Sequence, residues 1–363
     1  MVTNFTRRQF IELSTLLYLS SCSHVIPLTS KKSKDKYLIT NAPRAGYGNS
    51  NEFVITPPGS VEIFNSETGT ISDIKIDFFG HTLLQNPLRK NLIYTFGQYG
   101  MQGSLIDIES EKCVQSIKAA PHCTFMGHAG FIEQKNVLYT TEHDHNKNEG
   151  FITFRDPTSL IELNKIKSGG RKPHDTTYLM NHNSIVVINA EGPSSLVYIN
   201  VNDGKIVNQI FLSEGQSGNY SHFEISTDDW IVALPRKSTS RINLIDPSGR
   251  ITALEHPETK SPGALSSCFI KNSDYIAVTY PEAGFIQIWN YKTKKSIGHI
   301  QLPNPRGLVQ IENDRNKNYS FLASVADTNL MVLVNIDKNE QITVDQFHSK
   351  FGGKGSHMVK IQT

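Results

Sequence analysis

One short pattern returns along the chain at intervals of 42 to 49 residues: an apolar run, an Asn or Asp near its end, and a turn. An Asn or Asp side chain suits this place because its oxygen can accept hydrogen bonds from the turn that follows. A repeat of this length, built from short strands, is typical of a radial β-sheet architecture. The marker residues are Asn65, Asp107, Asp156, Asn200, Asp246, Asn290 and Asp337.

A second run recurs with the same period and is apolar and rich in β-branched residues, which is typical of buried strands. Its copies are 37–40, 92–95, 137–140, 185–188, 231–234, 276–279 and 321–324. Before this run we expect an inner strand, which starts near His81, His128, His174, His222, Ser267, Arg306 and His357.

The last inner strand, at 356–361, lacks the three strands that follow it in the other copies. Segments of the right kind lie at the other end of the chain, at 37–40, 60–65 and 70–78. We therefore predict an all-β fold over 37–363: a seven-bladed β-propeller of four-stranded blades, with one blade closed by both chain ends. An eight-bladed propeller or a double-sheet architecture is the alternative.

The composition excludes several classes of protein. Lys and Arg number 36 and Asp and Glu number 34, so the formal net charge is +2. A charge this small does not produce the strong positive field that attracts nucleic acid. No apolar run approaches the roughly 20 residues of a membrane-spanning helix. The 25 Gly and 16 Pro favour many short strands and turns.

The N-terminus has the features of an export signal over 1–21. Arg7 and Arg8, followed by Phe10, resemble a twin-arginine signal, and an apolar stretch runs to Leu19. The next residues resemble a lipoprotein box, in which Cys22 would be lipidated. We predict a polar tether over 22–36 and a membrane-anchored lipoprotein in the periplasm.

Besides Cys22 the chain has three cysteines, and none has the Cys-x-x-Cys spacing of a zinc or redox site. An odd number leaves at least one thiol unpaired in an oxidising compartment. A disulfide between Cys113 and Cys123 is one alternative, and three free thiols are the other.

Histidine opens the inner strand in five of the repeat copies, although the chain has only 13 histidines. Because inner strands of a propeller line its central channel, we expect these side chains to converge at one channel mouth. Neutral imidazoles are good ligands for transition metals, so we predict a site for iron or copper, with zinc as a further candidate. A hydrogen-bonded structural network and a site for an anion or organic ligand are the alternatives. The predicted ligands are His81, His128, His174, His222 and His357.

An acidic and histidine-rich segment, 142–145, ends the second strand of the second copy. Strand alternation sends only every other side chain toward one face, and we predict that Glu142 faces the channel as a further ligand. His143 and His145 are expected in a solvated loop. Glu191 and Arg236 stand near equivalent positions in the next two copies.

The chain resembles the "domain of unknown function 1513" family, most densely from 127 to 235. The residues that carry the resemblance occur in the family's order, and they are 127–128, 139–144, 150–152, 172–175, 195–198 and 221–222. The resemblance implies a periplasmic β-propeller with a role in the handling of metal, most of all iron. It also implies imelysin-like or di-haem peroxidase-like proteins as partners. The chain has Lys172 where the family usually has Gly, Asp175 where it has Glu, and Ser221 where it has Arg.

Three functions remain open at this point. The first is a propeller that binds a transition metal for acquisition or handling, without catalysis. The second is a non-catalytic scaffold for protein interactions. The third is a metal-dependent oxidoreductase or hydrolase, which would need an open coordination position.

Overall fold

The computed structural model describes residues 35–41, 58–212, 220–236, 241–254, 263–311, 319–351, 355 and 357–361. Regular structure in this part of the chain consists of β-strands and two single-turn 3-10 helices, Glu133–Lys135 and Met180–His182. No helix in these ranges is long and apolar enough to cross a membrane. The predicted export signal, Cys22 and residues 22–34 of the predicted tether lie outside the described residues.

The strands of the first half are β1 (Lys36–Asn41), β2 (Gly59–Asn65), β3 (Ile71–Ile76), β4 (Gly80–Gln85), β5 (Leu92–Gly100), β6 (Gln102–Asp107), β7 (Lys112–Lys118), β8 (Cys123–Ile132), β9 (Val137–Asp144), β10 (Glu149–Arg155), β11 (Glu162–Lys167), β12 (Arg171–Leu179), β13 (Ser184–Glu191) and β14 (Ser195–Asn200). The strands of the second half are β15 (Ile206–Phe211), β16 (Tyr220–Ile225), β17 (Ile231–Pro235), β18 (Ile242–Ile245), β19 (Ile251–Leu254), β20 (Ser267–Phe269), β21 (Tyr275–Tyr280), β22 (Phe285–Asn290), β23 (Lys295–Gln301), β24 (Pro305–Gln310), β25 (Tyr319–Val325), β26 (Leu330–Ile336), β27 (Ile342–Ser349) and β28 (Met358–Ile361).

The fold is an all-β propeller, as the repeat predicts. Four sheets are consecutive antiparallel meanders: β12 to β15, β16 to β19, β20 to β23 and β24 to β27. A fifth sheet has the order β28-β1-β2-β3, in which Leu38 pairs with Val359 and thereby joins the two ends of the chain. The prediction that one sheet combines both chain ends is therefore confirmed.

The prediction of seven separate four-stranded blades requires a correction. Five sheets are four-stranded, but β4 to β7 and β8 to β11 belong to a single eight-stranded sheet. The physical reason is that β5 and β8 are unusually long and pair with each other, with Gln98 opposite Met126 and Gly100 opposite Phe125. The hydrogen-bonded ladder therefore continues from one meander into the next.

The first strands of the successive units lie side by side around one axis. Strand β4 contacts β8, and the contacts continue through β12, β16, β20 and β24 to β28, which in turn contacts β4. Residues far apart in sequence consequently meet at the same level of this closed circuit.

The marker residues cap their turns in all seven repeat copies, as predicted. Their side-chain oxygens accept hydrogen bonds from backbone N–H groups two or three residues further on, at Glu67, Glu109, Thr158, Asn202, Ser248, Thr293 and Asn339.

The hydrophobic core is divided among the interfaces between neighbouring units. Ile152 of β10 and Val187 of β13 belong to one buried cluster, and Ile39 of β1 and Leu322 of β25 belong to another. All four side chains are fully buried. Truncation of such residues costs about 2–5 kcal/mol, so these interfaces hold the inner strands in fixed positions.

Candidate metal centre

The inner strands are irregular where the histidines occur. The antiparallel register shifts between Gly80 and Thr82 in β4, and similar shifts lie at 125–129 in β8, 173–176 in β12 and 220–222 in β16. A β-bulge leaves a residue out of the ladder and re-aims its side chain. His81, His128 and His174 lie within these irregularities and His222 lies at the end of one, while His357 directly precedes β28.

The structure brings all five predicted histidines together in one cluster, called here the His ring: His81, His128, His174, His222 and His357. In nine of the ten pairs, the imidazole centroids are separated by 4.7 Å, for His174 and His222, to 5.6 Å, for His81 and His222. The five side chains therefore converge, as the sequence predicts.

Four members of the His ring offer nitrogen atoms that all lie within 4.8 Å of one another: His81, His128, His222 and His357. Tetrahedral zinc with bonds of about 2.0–2.1 Å needs nitrogens about 3.3 Å apart, so modest side-chain rotations would close the group around one ion. His174 stands outside this group, with its Nε2 3.4 Å from Nε2 of Gln98.

The ring nitrogens are buried and short of protein partners. His174 is fully buried and His81 is 1 % exposed. No hydrogen-bond partner among the described residues reaches either nitrogen of His81, Nε2 of His128 or Nε2 of His357. A buried polar atom without a partner costs about 1–3 kcal/mol, and a bound ion would satisfy several of these atoms at once.

Burial favours the neutral form of four ring imidazoles, those of His81, His174, His222 and His357. Desolvation, with the neighbouring imidazoles as a second cause, holds the pKa of His81, His174 and His357 well below the usual value. Burial also lowers the pKa of His222, although nearby Asp175 acts in the opposite direction. Neutral imidazole is the form that binds metal, so these side chains need to lose no proton near pH 7.

Asp175 anchors two members of the His ring, a role that the sequence pattern does not indicate. Its Oδ1 lies 2.9 Å from Nδ1 of His128, and its Oδ2 lies 3.6 Å from Nδ1 of His222. Backbone N–H groups of Thr176 and Phe223 donate to the same carboxylate. The carboxylate fixes the orientation of His128 and leaves its Nε2 free to bind a metal, as carboxylates beside metal-binding histidines do.

Close backbone packing supports the His ring. Gly127 has a φ of 102°, and a Cβ atom there would lie 2.6 Å from Cδ2 of His81. Thr141 Oγ1 lies 3.1 Å from the backbone oxygens of both His128 and His174 and so links two neighbouring inner strands. The glycine before His128 therefore allows the close approach of the His81 ring.

Glu142 requires a correction, because its carboxylate does not join the four-nitrogen group. Its Oε1 lies 2.5 Å from Nη2 of Arg155 and accepts a hydrogen bond from Thr140. Both side chains of this ion pair are almost completely buried. Alternation along β9 turns Thr141, rather than Glu142, toward the inner strands.

The other acidic and histidine residues singled out by the sequence have partners outside the His ring. Glu191 forms a half-exposed ion pair with Lys172, 3.1 Å apart. His143 is 2 % exposed rather than solvated, while His145 is exposed and lies 3.0 Å from Thr124 Oγ1.

Two repeat copies have no histidine at the ring position. Arg306 lies within an irregular stretch of β24, between Pro305 and Leu308, and Ser267 begins β20. The three cysteines of the described residues, Cys113, Cys123 and Cys268, are free thiols, so the alternative disulfide is not formed.

Solved structures share this fold at low sequence identity. A putative 6-phosphogluconolactonase of Bacteroides fragilis is 12 % identical over 92 % of this chain and 99 % of its own, with a TM-score of 0.62. Hydrazine synthase of Kuenenia stuttgartiensis is 10 % identical over 79 % of this chain and 89 % of its own, with a TM-score of 0.59. Apo AztD of Citrobacter koseri is 9 % identical over 90 % and 98 %, with a TM-score of 0.54. At these identities the likeness shows the fold alone.

Sequence comparison supplies the family. No curated protein matches the chain. The model of the family described as "Protein of unknown function (DUF1513)" matches residues 75–348, a stretch that runs from the end of β3 through nearly all of β27 and includes four of the five ring histidines. The chain therefore belongs to the DUF1513 family.

Proposed function

We propose that this protein binds one transition-metal ion in the His ring and serves in metal acquisition or handling rather than in catalysis. The observation that carries the proposal is the group of four nitrogens within 4.8 Å of one another on imidazoles contributed by distant parts of the chain. Their burial and the anchoring carboxylate of Asp175 suit a metal ligand set, and the lowered pKa of His81, His222 and His357 favours the neutral form that binds metal.

The donor atoms narrow the choice of metal. Imidazole nitrogen suits copper, zinc, iron and nickel, and the general order of stability places copper(II) above zinc(II) and iron(II). We propose iron or copper as the ion, with zinc as a further candidate: copper on the ground of donor affinity, and iron because the family resemblance implies it.

The cellular setting is also a proposal and rests on the sequence alone. The features of residues 1–22 support export to the periplasm by the twin-arginine route and a lipid anchor at Cys22. In that setting, imelysin-like or di-haem peroxidase-like proteins, which the family resemblance implies, would be the partners in iron handling.

We further propose that the eight-stranded sheet acts as two blades, so that the propeller has sevenfold organisation. Each half is a complete four-stranded meander, and the closed circuit of inner strands supports this count. The pairing of β5 with β8 would then be a local link between two blades.

Titration of the metal-free protein with copper, iron(II) and zinc tests the proposed site. We expect tight binding of at least one of these ions, and loss of that binding in a His128→Ala, His222→Ala double variant. A His182→Ala variant is the matched control, because His182 lies in an exposed 3-10 turn away from the cluster. Equal metal binding by the double variant and the control would refute the site.

A further inference from the structure

The strand extension that joins the two meanders also covers one side of the His ring. The pairing of β5 with β8 is irregular between Gln98 and Gly100, and Tyr99 between them has a φ of 58°. A non-glycine residue in this left-handed region carries backbone strain, which tends to be kept where it serves a site. The extension thus holds two polar side chains, Gln98 and Tyr99, in a defined place.

Both side chains lie against His174, the ring member outside the four-nitrogen group. The Tyr99 ring is nearly parallel to the His174 ring, with an angle of 14° and centroids 6.3 Å apart. Nε2 of Gln98 lies 3.4 Å from Nε2 of His174, and Nδ1 of His174 is buried without a hydrogen-bond partner among the described residues. The half-buried Tyr99 ring therefore lies against the fully buried ring of His174.

An arginine from a distant sheet completes this group. Arg236, just beyond β17, donates from Nη1 to the Tyr99 hydroxyl at 2.5 Å, and its guanidinium carbon lies 5.5 Å from the centre of the Tyr99 ring. Arg236 is exposed, so its guanidinium can be reached from solvent. Through the Tyr99 hydroxyl, this guanidinium is linked to the ring that stacks on His174.

The charges around the His ring favour an anion beside a bound cation. Arg306 occupies the ring position of a further repeat copy, and its Nε donates a hydrogen bond to the backbone oxygen of Gly355, two residues before His357. Among the described residues, Asp175 is the carboxylate that contacts the His ring. A divalent ion would add positive charge to a site that already has more cationic than anionic groups.

We propose that Gln98, Tyr99 and Arg236 form a binding site for a small oxyanion, which would act as an additional ligand of the metal ion in the His ring. The ligand class is a carboxylate, carbonate or phosphate. The guanidinium fork of arginine matches such oxyanions, and the Tyr99 hydroxyl and the Gln98 amide supply further donors. This inference rests on the proposed metal function and specifies the form in which the ion is held.

Metal affinity measured with and without oxyanions tests the inference. Copper(II) and zinc(II) would be titrated by chelator competition in a non-coordinating buffer, alone and with bicarbonate, phosphate or citrate. We expect at least one oxyanion to tighten metal binding to the wild-type protein by about 5- to 150-fold, the usual range of coupling between two ligands. Binding of that oxyanion, followed by calorimetry, should tighten by the same factor when the metal is present.

Variants identify the residues responsible. Arg236→Gln should abolish the oxyanion effect, and Arg236→Lys should keep part of it. Arg89→Gln is the matched control because it removes the same charge from an exposed turn at the other end of β4 and β5, and it should keep the full effect. Circular dichroism of each variant would verify that the fold is retained.

The outcomes separate the two proposals. If metal binds equally well with and without every oxyanion, or if Arg236→Gln keeps the full effect, the oxyanion site is wrong and the metal site stands. If no metal binds, the proposed function is wrong, and the co-ligand role is wrong with it.

Discussion

The imidazole rings of His81 and His357 lie 5.1 Å apart, although one opens β4 and the other lies in the C-terminal segment. This contact depends on the sheet that joins β28 to β1 and thereby brings the end of the chain beside β4. The candidate metal site is therefore complete only when the propeller is closed.

Gly127→Ala should disturb the His ring. The new Cβ would lie 2.6 Å from Cδ2 of His81, so the His81 ring must move, and metal affinity should fall at least tenfold, which corresponds to about 1.4 kcal/mol. Gly249→Ala is the matched control, since Gly249 also has a positive φ but a Cβ atom added there would meet no atom within 4 Å. Chelator competition would measure both, and equal affinities would show that His81 does not need its present position.

Asp175→Asn should weaken metal binding without removing a ligand. The change removes the negative charge beside Nδ1 of His128 and of His222, and loss of such an orienting partner usually costs about 10- to 100-fold in metal affinity. Glu191→Gln removes a carboxylate charge that is paired with Lys172 instead, and it should leave the affinity nearly unchanged. An Asp175→Asn variant with wild-type affinity would show that Asp175 has only a structural role.

Glu142→Gln should affect stability and leave metal affinity unchanged. The variant leaves the Arg155 guanidinium buried without its partner charge, and breaking a buried ion pair in this way costs about 3–5 kcal/mol. Urea unfolding of the metal-free protein would measure the loss, which a further Arg155→Met change should partly restore. A large loss of metal affinity in the folded variant would instead restore Glu142 as a ligand.

His143 should make the protein less stable in acid. Burial, with the neighbouring His145 and Lys172 as lesser causes, lowers the pKa of His143 to about 4, whereas the unfolded chain binds that proton near pH 6.5. The unfolded state therefore binds more protons between these values, so stability falls as the pH decreases from about 6.5 toward 4. Urea unfolding of the metal-free His143→Asn variant should show a smaller loss over this range than the wild type. His182→Asn, at an exposed position, should behave like the wild type, and identical slopes in all three proteins would contradict the prediction.

The sequence predicted the fold because its repeat is encoded locally. Each marker residue, such as Asn65 or Asp337, caps a turn with its own side chain, and this interaction does not depend on residues elsewhere in the chain. The recurrence of histidine at one position of the inner strands likewise indicated that these side chains lie at the same level around the propeller axis. Strand order at the chain ends followed from the incomplete last copy.

Features that depend on contacts between units could not be predicted. The pairing of β5 with β8 arises from the lengths of two strands in different repeat copies, which periodicity does not reveal. Asp175 directly follows His174, so simple strand alternation would turn it away from the His ring. The irregular register at 173–176 changes that direction, and no sequence pattern indicated it. The predicted direction of the Glu142 side chain was wrong. Strand alternation shows which residues of β9 share a face, but it does not show which face points toward the inner strands.

The most direct test is the metal content of untagged protein purified from its native compartment, measured by inductively coupled plasma mass spectrometry. We expect a near-stoichiometric amount of one transition metal in the wild type and in His182→Ala, and its loss in the folded His128→Ala, His222→Ala double variant. A folded wild-type protein that carries no transition metal, and takes up none from copper, iron(II) or zinc, would show that the His ring is not a metal site.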